Sequence, residues 1–111
     1  HPWMGDITAE SVCMQCKSRS SLRPHVVWFG EMPLFMQDIE QALMSADIFA
    51  AIGTSGEVYP AAGFADVAST SGARTIELNL RPSNSGVFDD SLKGTASSIV
   101  PAWVDSILKD A

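Results

Sequence analysis

The sequence has little basic charge. Thirteen acids stand against seven bases, for a net charge of −6. A phosphate backbone or an anionic membrane surface attracts lysine and arginine, so both are disfavoured as partners. Long hydrophobic runs are missing too. No stretch approaches the ~18 apolar residues of a membrane span, and no signal-peptide pattern opens the chain. Cysteine occurs twice, at Cys13 and Cys16. Two thiols do not make a disulfide framework, and a reducing, cytoplasmic setting is the expectation. There is no internal repeat, no low-complexity tract and no G-x-G-x-x-G fingerprint. Position 1 is not Met, and the opening His1-Pro2-Trp3 reads as a fragment or a processed product.

What is present fits one small domain. The chain has 111 residues and is 46% apolar, which suits a globular core and not a disordered segment. Its organising stretch is Ala46 to Pro60. Ile48 to Ile52 is a short apolar run between Asp47 and Gly53. Such a run predicts a strand buried on both faces. Gly53-Thr54-Ser55-Gly56 follows, four small residues that let another molecule approach the backbone. Pro60 suits the first turn of a helix, where its missing N–H has no intrahelical partner. Strand, small-residue turn and helix together form the local design of a nucleotide site at the carboxyl end of a parallel strand. Taken alone, an ordinary tight βα turn is the favoured reading of this stretch.

The remaining elements alternate around it. Val26 to Phe29 is rich in β-formers and predicts a strand ended by Gly30. From Leu34 to Ser45, Phe35, Met36, Ile39, Leu43 and Met44 recur at helical spacing, with the methionines as core filler. Pro60 to Ser71 sets Ala61, Phe64, Ala65 and Ala68 on one helix face, and Gly72 suits the C′ position. Thr75 to Leu80 alternates, which predicts a strand with one more polar face. Residues 81–86 read as loop, and Phe88 to Gly94 has no clear period. Val100, Trp103, Val104, Ile107 and Leu108 predict a last amphipathic helix with Pro101 in its first turn. The order predicts an α/β fold with three parallel strands and right-handed crossovers, half of a doubly wound, Rossmann-like sheet with helices on its faces and both edges open.

Cys13-Met14-Gln15-Cys16 has the spacing to bring two thiolates to one metal ion. Zinc takes four ligands in a closed structural site, so the pair is half a site. Neither His1 nor His25 has ligand spacing to it. The alternatives are a redox dithiol or two free thiols. A redox C-x-x-C opens a helix after a strand, whereas Lys17 to Ser21 reads as loop, which favours zinc.

Several of these segments, in order and at matching spacing, carry a family likeness. They are Cys13-x-x-Cys16, Arg23-Pro24-x-Val26-Val27-Trp28-Phe29-Gly30-Glu31-x-Pro33, Ala46-Asp47, Ile52-Gly53-Thr54-Ser55, Val58-x-Pro60-Ala61-Ala62, Gly72-Ala73 and Asn79-Leu80. Together they resemble the carboxyl-terminal portion of a sirtuin, an NAD-dependent protein lysine deacylase, closest to the bacterial CobB-type group. The glycine-rich phosphate loop, the Gln-Asn-x-Asp segment, the catalytic histidine and the first cysteine pair of that family are not in this sequence, and His1 is not that histidine.

The resemblance implies a division into a partial zinc-binding module, residues 1–22, and the carboxyl half of the NAD-binding domain, residues 23–111. It implies NAD and Zn(2+) as cofactors, the zinc through Cys13 and Cys16 as a half site. Gly53, Thr54 and Ser55 match the turn near the NAD ribose and phosphate, Asn79, Leu80 and Arg81 the strand end at the adenosine ribose, and Ala96 a small residue near adenine. Val27, Trp28, Phe29, Gly30 and Glu31, with Gly56, Glu57 and Val58, match the two segments between which an acyl-lysine peptide lies as an added strand. The implied reaction moves an acyl group from lysine to ADP-ribose and releases nicotinamide. The enzyme would be a deacetylase or a desuccinylase, its acyl preference set outside this chain. Its implied partners are an acyl-lysine protein or peptide and the absent amino-terminal half. The 111 residues alone are expected to be inactive. The alternative is a non-catalytic NAD- or peptide-binding module derived from the same fold.

Overall fold

The computed structural model describes residues 2–110, so His1 lies outside the described residues. The chain divides between Leu34 and Phe35 into two compact units.

The first unit holds neither a helix nor a paired strand among its described residues. One isolated antiparallel bridge joins Val12 to Arg19. Between them the chain makes a tight turn, with Cys13 N–H donating to Ser18 O and Lys17 N–H to Cys13 O, each at 2.9 Å. The strand expected over Val26 to Phe29 is not formed. Trp28 and Phe29 are exposed there. β-propensity describes how a side chain fits a pleated, half-buried surface, and among the described residues no strand pairs with this segment.

In the second unit, helix α1 spans Met36–Ser45 and strand β1 Ile48–Ile52. A 3₁₀ turn over Ala61–Gly63 leads into α2, Phe64–Thr70. Strands β2, Arg74–Asn79, and β3, Asp90–Lys93, follow, and α3, Ala96–Asp110, is the last element. The sheet is parallel in the order β1-β2-β3. α1 begins after Phe35, whose φ of 60° is left-handed and stops the helix from extending back to Leu34. Leu43 buries with Ala68 and Ala73, and Ile39, Phe49 and Phe64 pack around them. Met36 is half-buried and Met44 exposed, and neither methionine belongs to this cluster, so the expected core-filling role is not met. Alanines at 65 and 68 let α2 lie close to the sheet, and Gly72, at φ 99°, ends that helix.

Three further expectations are corrected. β1 is an edge strand, with Ile48 and Ile52 each 46% exposed, because no strand pairs with its outer side. The third strand is β3, within the aperiodic stretch Phe88 to Gly94. At four residues it is too short to show a period, and it forms because β2 offers a ladder. Pro101 lies inside α3, not in its first turn. It removes one backbone donor from a helix that stays continuous around it.

No helix joins β2 to β3. Residues 80–89 instead double back along one face of β2. Alternation puts Thr75, Glu77 and Asn79 on that face. Arg81 N–H donates to Asn79 Oδ1 at 3.4 Å, Ser83 N–H to Glu77 Oε1 at 2.8 Å, and Thr75 Oγ1 to Val87 O at 3.2 Å. Asp89 then caps the return through Thr75 N–H, at 2.8 Å. The polar face of this strand is therefore buried, with Thr75 and Glu77 at 0% and 2% exposure. Its side chains bind the backbone of the returning loop where a surface strand would bind water. On the other face, Ile48, Ile76 and Leu92 line a cavity of about 310 Å³ with Trp103 and Ile107 of α3.

Candidate functional site

Parallel strands deliver their exit turns to one edge of the sheet, and here three turns meet there. The turn after β1 starts at Gly53, whose N–H continues the ladder by donating to Leu78 O at 3.0 Å. Gly53 has φ 65° and Gly56 φ 66°, both left-handed. A Cβ built on Gly53 meets no atom within 4 Å. The protein's own packing leaves that position open, so space for another molecule remains above the backbone. Thr54 and Ser55 close the turn on themselves, with Oγ1 of Thr54 accepting from Gly56 N–H and Oγ of Ser55 from Glu57 N–H.

The second turn begins at Asn79, the last residue of β2. Its Nδ2 donates to Thr54 O at 2.7 Å, and its Oδ1 accepts from Arg81 N–H. Asn79 thus ties both turns together, which leaves one amide hydrogen and one acceptor lone pair for a ligand. Leu80 and Arg81 are exposed beside it. The third turn follows β3. Gly94 N–H donates to Asn79 O at 3.2 Å, and Thr95 O accepts from Ser98 and Ile99 at the start of α3, beside exposed Ala96. The expected cofactor residues Gly53, Thr54, Ser55, Asn79, Leu80, Arg81 and Ala96 all lie on these three exits.

A cleft of about 560 Å³ opens over β1, between α2 and the returning loop. Thr54, Ser55, Gly56, Glu57 and Val58 line it, together with apolar Phe49, Phe64 and Phe88, whereas Asn79, Arg81 and Ala96 do not. The first turn therefore faces both the strand exits and this cleft.

Val27 to Glu31 belong to the first unit. There Arg23 makes a fork to the Glu31 carboxylate, at 2.9 and 3.2 Å, and donates to Val26 O at 2.7 Å. Its guanidinium carbon lies 4.8 Å from the centre of the Trp28 ring. Trp28 N–H donates to Glu31 Oε1, and Glu31 N–H to Trp28 O. The Arg23 guanidinium, and then the Trp28 N–H, hold the Glu31 carboxyl below the usual carboxylate range. Gly30, at φ 86°, lets this turn close.

Cys13 is buried and Cys16 exposed. Cys16 N–H points at Cys13 Sγ at 3.5 Å. Backbone N–H groups of Cys16 and then Gln15 lower the Cys13 thiol below its usual value, which favours the thiolate a metal needs. Two sulfurs on one turn fit half of a zinc site. Among the described residues no group of three or more His, Cys, Asp or Glu gathers around a common point.

Sequence reasoning missed Glu77, Ser83 and Ser91. Ser83 Oγ and Ser91 Oγ each donate to Glu77 Oε2 at 3.2 Å. The available signal was an acid within an alternating strand, followed by a serine-rich loop.

A family model described as the Sir2 family matches residues 3–60. The chain is 55% identical over 111 residues to the NAD-dependent protein deacylase SIR2rp3 of Leishmania major, covering 98% of this chain and 46% of that protein. It is 53% identical over 108 residues to an NAD-dependent protein deacylase of Caulobacter vibrioides, covering 96% of this chain and 45% of that protein. The chain thus spans less than half the length of these relatives. The crystal structure of a Sir2 homologue–NAD complex superposes with a TM-score of 0.81 at 31% identity, over 96% of this chain and 42% of that one.

Proposed function

The chain belongs to the Sir2 family, and on that premise we propose that it is the carboxyl-terminal part of an NAD-dependent protein lysine deacylase. One observation carries the proposal beyond the family name. Three strand exits, at Gly53, Asn79 and Gly94, are hydrogen-bonded into one edge, and the open approach to Gly53 leaves its backbone accessible. An edge of this kind at the carboxyl ends of parallel strands suits a nucleotide cofactor.

In this reading Gly53 to Ser55 lie under the ribose and phosphate, Asn79 to Arg81 receive the adenosine ribose, and Ala96 lies near adenine. NAD, when bound, supplies the ADP-ribose that takes the acyl group as nicotinamide leaves. This chain's residues hold the cofactor floor, and the catalytic base comes from outside it. Val27 to Glu31 and Gly56 to Val58 bind the acyl-lysine peptide through main-chain hydrogen bonds, with little sequence preference. Cys13 and Cys16, in a partial module over residues 1–22, supply two of four ligands to a structural zinc, and the first cysteine pair, outside this sequence, supplies the others. Acetyl or succinyl as the acyl group, and a cytoplasmic setting, belong to the same proposal.

The test is nicotinamide release from NAD by the whole enzyme with an acetyl-lysine or succinyl-lysine peptide. Turnover that needs both NAD and the peptide supports the reading. NAD or peptide binding without turnover would favour the non-catalytic module instead.

A further inference from the structure

We propose that Glu77 is a positioning residue for the adenosine side of the cofactor site, holding in place the loop that follows Asn79. The inference rests on the proposed deacylase function. Glu77 sits in the middle of the central strand, 2% exposed. A strand covered on both faces ordinarily carries apolar residues there. An ionised carboxylate in that position is costly unless its oxygens are satisfied.

They are satisfied by donors from two segments. Ser83 N–H reaches Oε1 at 2.8 Å, and Ser83 Oγ and Ser91 Oγ reach Oε2 at 3.2 Å. No ion pair to Glu77 occurs among the described residues. The carboxylate therefore binds the backbone of the crossover loop and anchors it to β3. Arg81 is held from the other side by Asn79 Oδ1. The short path from Asn79 through Arg81 to Ser83 is thus fixed at both ends, by two side chains that alternate on one strand face. Ser83 and Ser85 also form part of the cleft wall over β1. Glu77 touches no ligand in this arrangement and acts through Ser83 on the path that carries Arg81.

The test compares Glu77→Ala, Glu77→Gln and the double variant Ser83→Ala with Ser91→Ala in the whole enzyme. Glu77→Ala should raise the KM for NAD about tenfold, equivalent to ~1.4 kcal/mol. The KM for the peptide and kcat should stay within about twofold, because only loop order is lost. Glu77→Gln should recover most of the NAD affinity, since its amide oxygen can accept from Ser83 N–H and its NH₂ can donate to a serine Oγ. The serine double variant keeps the carboxylate and one donor, and should raise the KM for NAD about threefold. It decides the matter if Glu77→Ala does not fold. An unchanged KM for NAD in a folded variant overturns the inference, as does a Gln variant no better than Ala, or an equal loss of peptide affinity. A wild-type enzyme that turns over no NAD removes the deacylase reading itself, a separate failure.

Discussion

Asn79 Nδ2 and Thr54 O lie 2.7 Å apart across 25 residues of sequence. One side chain at the end of β2 thereby holds the exit turn of β1. The same amide accepts from Arg81, so it braces both walls of the edge where we place the adenosine ribose. In the proposed site Asn79 would then serve both as a scaffold and as a ligand contact.

Asn79→Ala removes both ties. We expect the KM for NAD to rise about tenfold or more in steady-state kinetics, with a melting temperature lower by a few degrees, the scale of one lost hydrogen bond. Asn79→Asp should be no better, because a carboxylate cannot donate to Thr54 O. An Asp variant with parental NAD affinity would show that the Thr54 tie does not matter.

Gly53 and Gly94 should separate binding from stability. Gly53→Ala meets no neighbour, so its folding cost is that of φ alone, about 1–2 kcal/mol by urea denaturation. Its larger effect should be a raised KM for NAD at nearly constant kcat. At Gly94 an added Cβ would come 2.5 Å from Ile99 Cγ2, so Gly94→Ala should destabilise the fold more than Gly53→Ala does. The reverse ranking in denaturation would contradict the packing.

The turn from Trp28 to Glu31 should open in acid. Glu31 has a depressed folded-state pKa, chiefly through Arg23. Its stabilisation is therefore fully present above the ordinary glutamate value, about 4.3, and is lost as pH falls through the depressed one. The indole N–H resonance of Trp28 should hold steady from neutral pH to about 4.5 and shift below it. Glu31→Gln should abolish that acid step. An identical step in the Gln variant would assign it to another group.

Zinc should bind weakly to the isolated chain and firmly to the whole enzyme. Two thiolates leave the ion half coordinated, although the turn at Cys13 is built to present them. Metal analysis after chelator treatment is the measurement. Stoichiometric, chelator-resistant zinc on the isolated chain would mean that two copies share one ion.

The isolated chain should also lack deacylase activity, since it holds the proposed cofactor floor without a base. Turnover of an acetyl-lysine peptide by the purified 111 residues would overturn this and place the base within them.

The sequence by itself determined the elements whose signal is local. Apolar spacing sets α1 and α3, an unbroken apolar run sets β1, and Gly53 and Gly56 mark a turn whose left-handed φ favours glycine. Motif order carried the family likeness as well. Tertiary structure decided what depends on partners. Val26 to Phe29 has strand composition but pairs with no strand among the described residues, whereas Asp90–Lys93 has almost no strand signal and pairs because β2 is beside it. Thr75, Glu77 and Asn79 read as the more polar face of a strand, and the structure makes that face the attachment of the crossover loop, with Thr75 and Glu77 buried beneath it. Alternation fixes which side chains share a face, but what covers that face comes from residues 81–89, whose path is set by hydrogen bonds that no sequence period records.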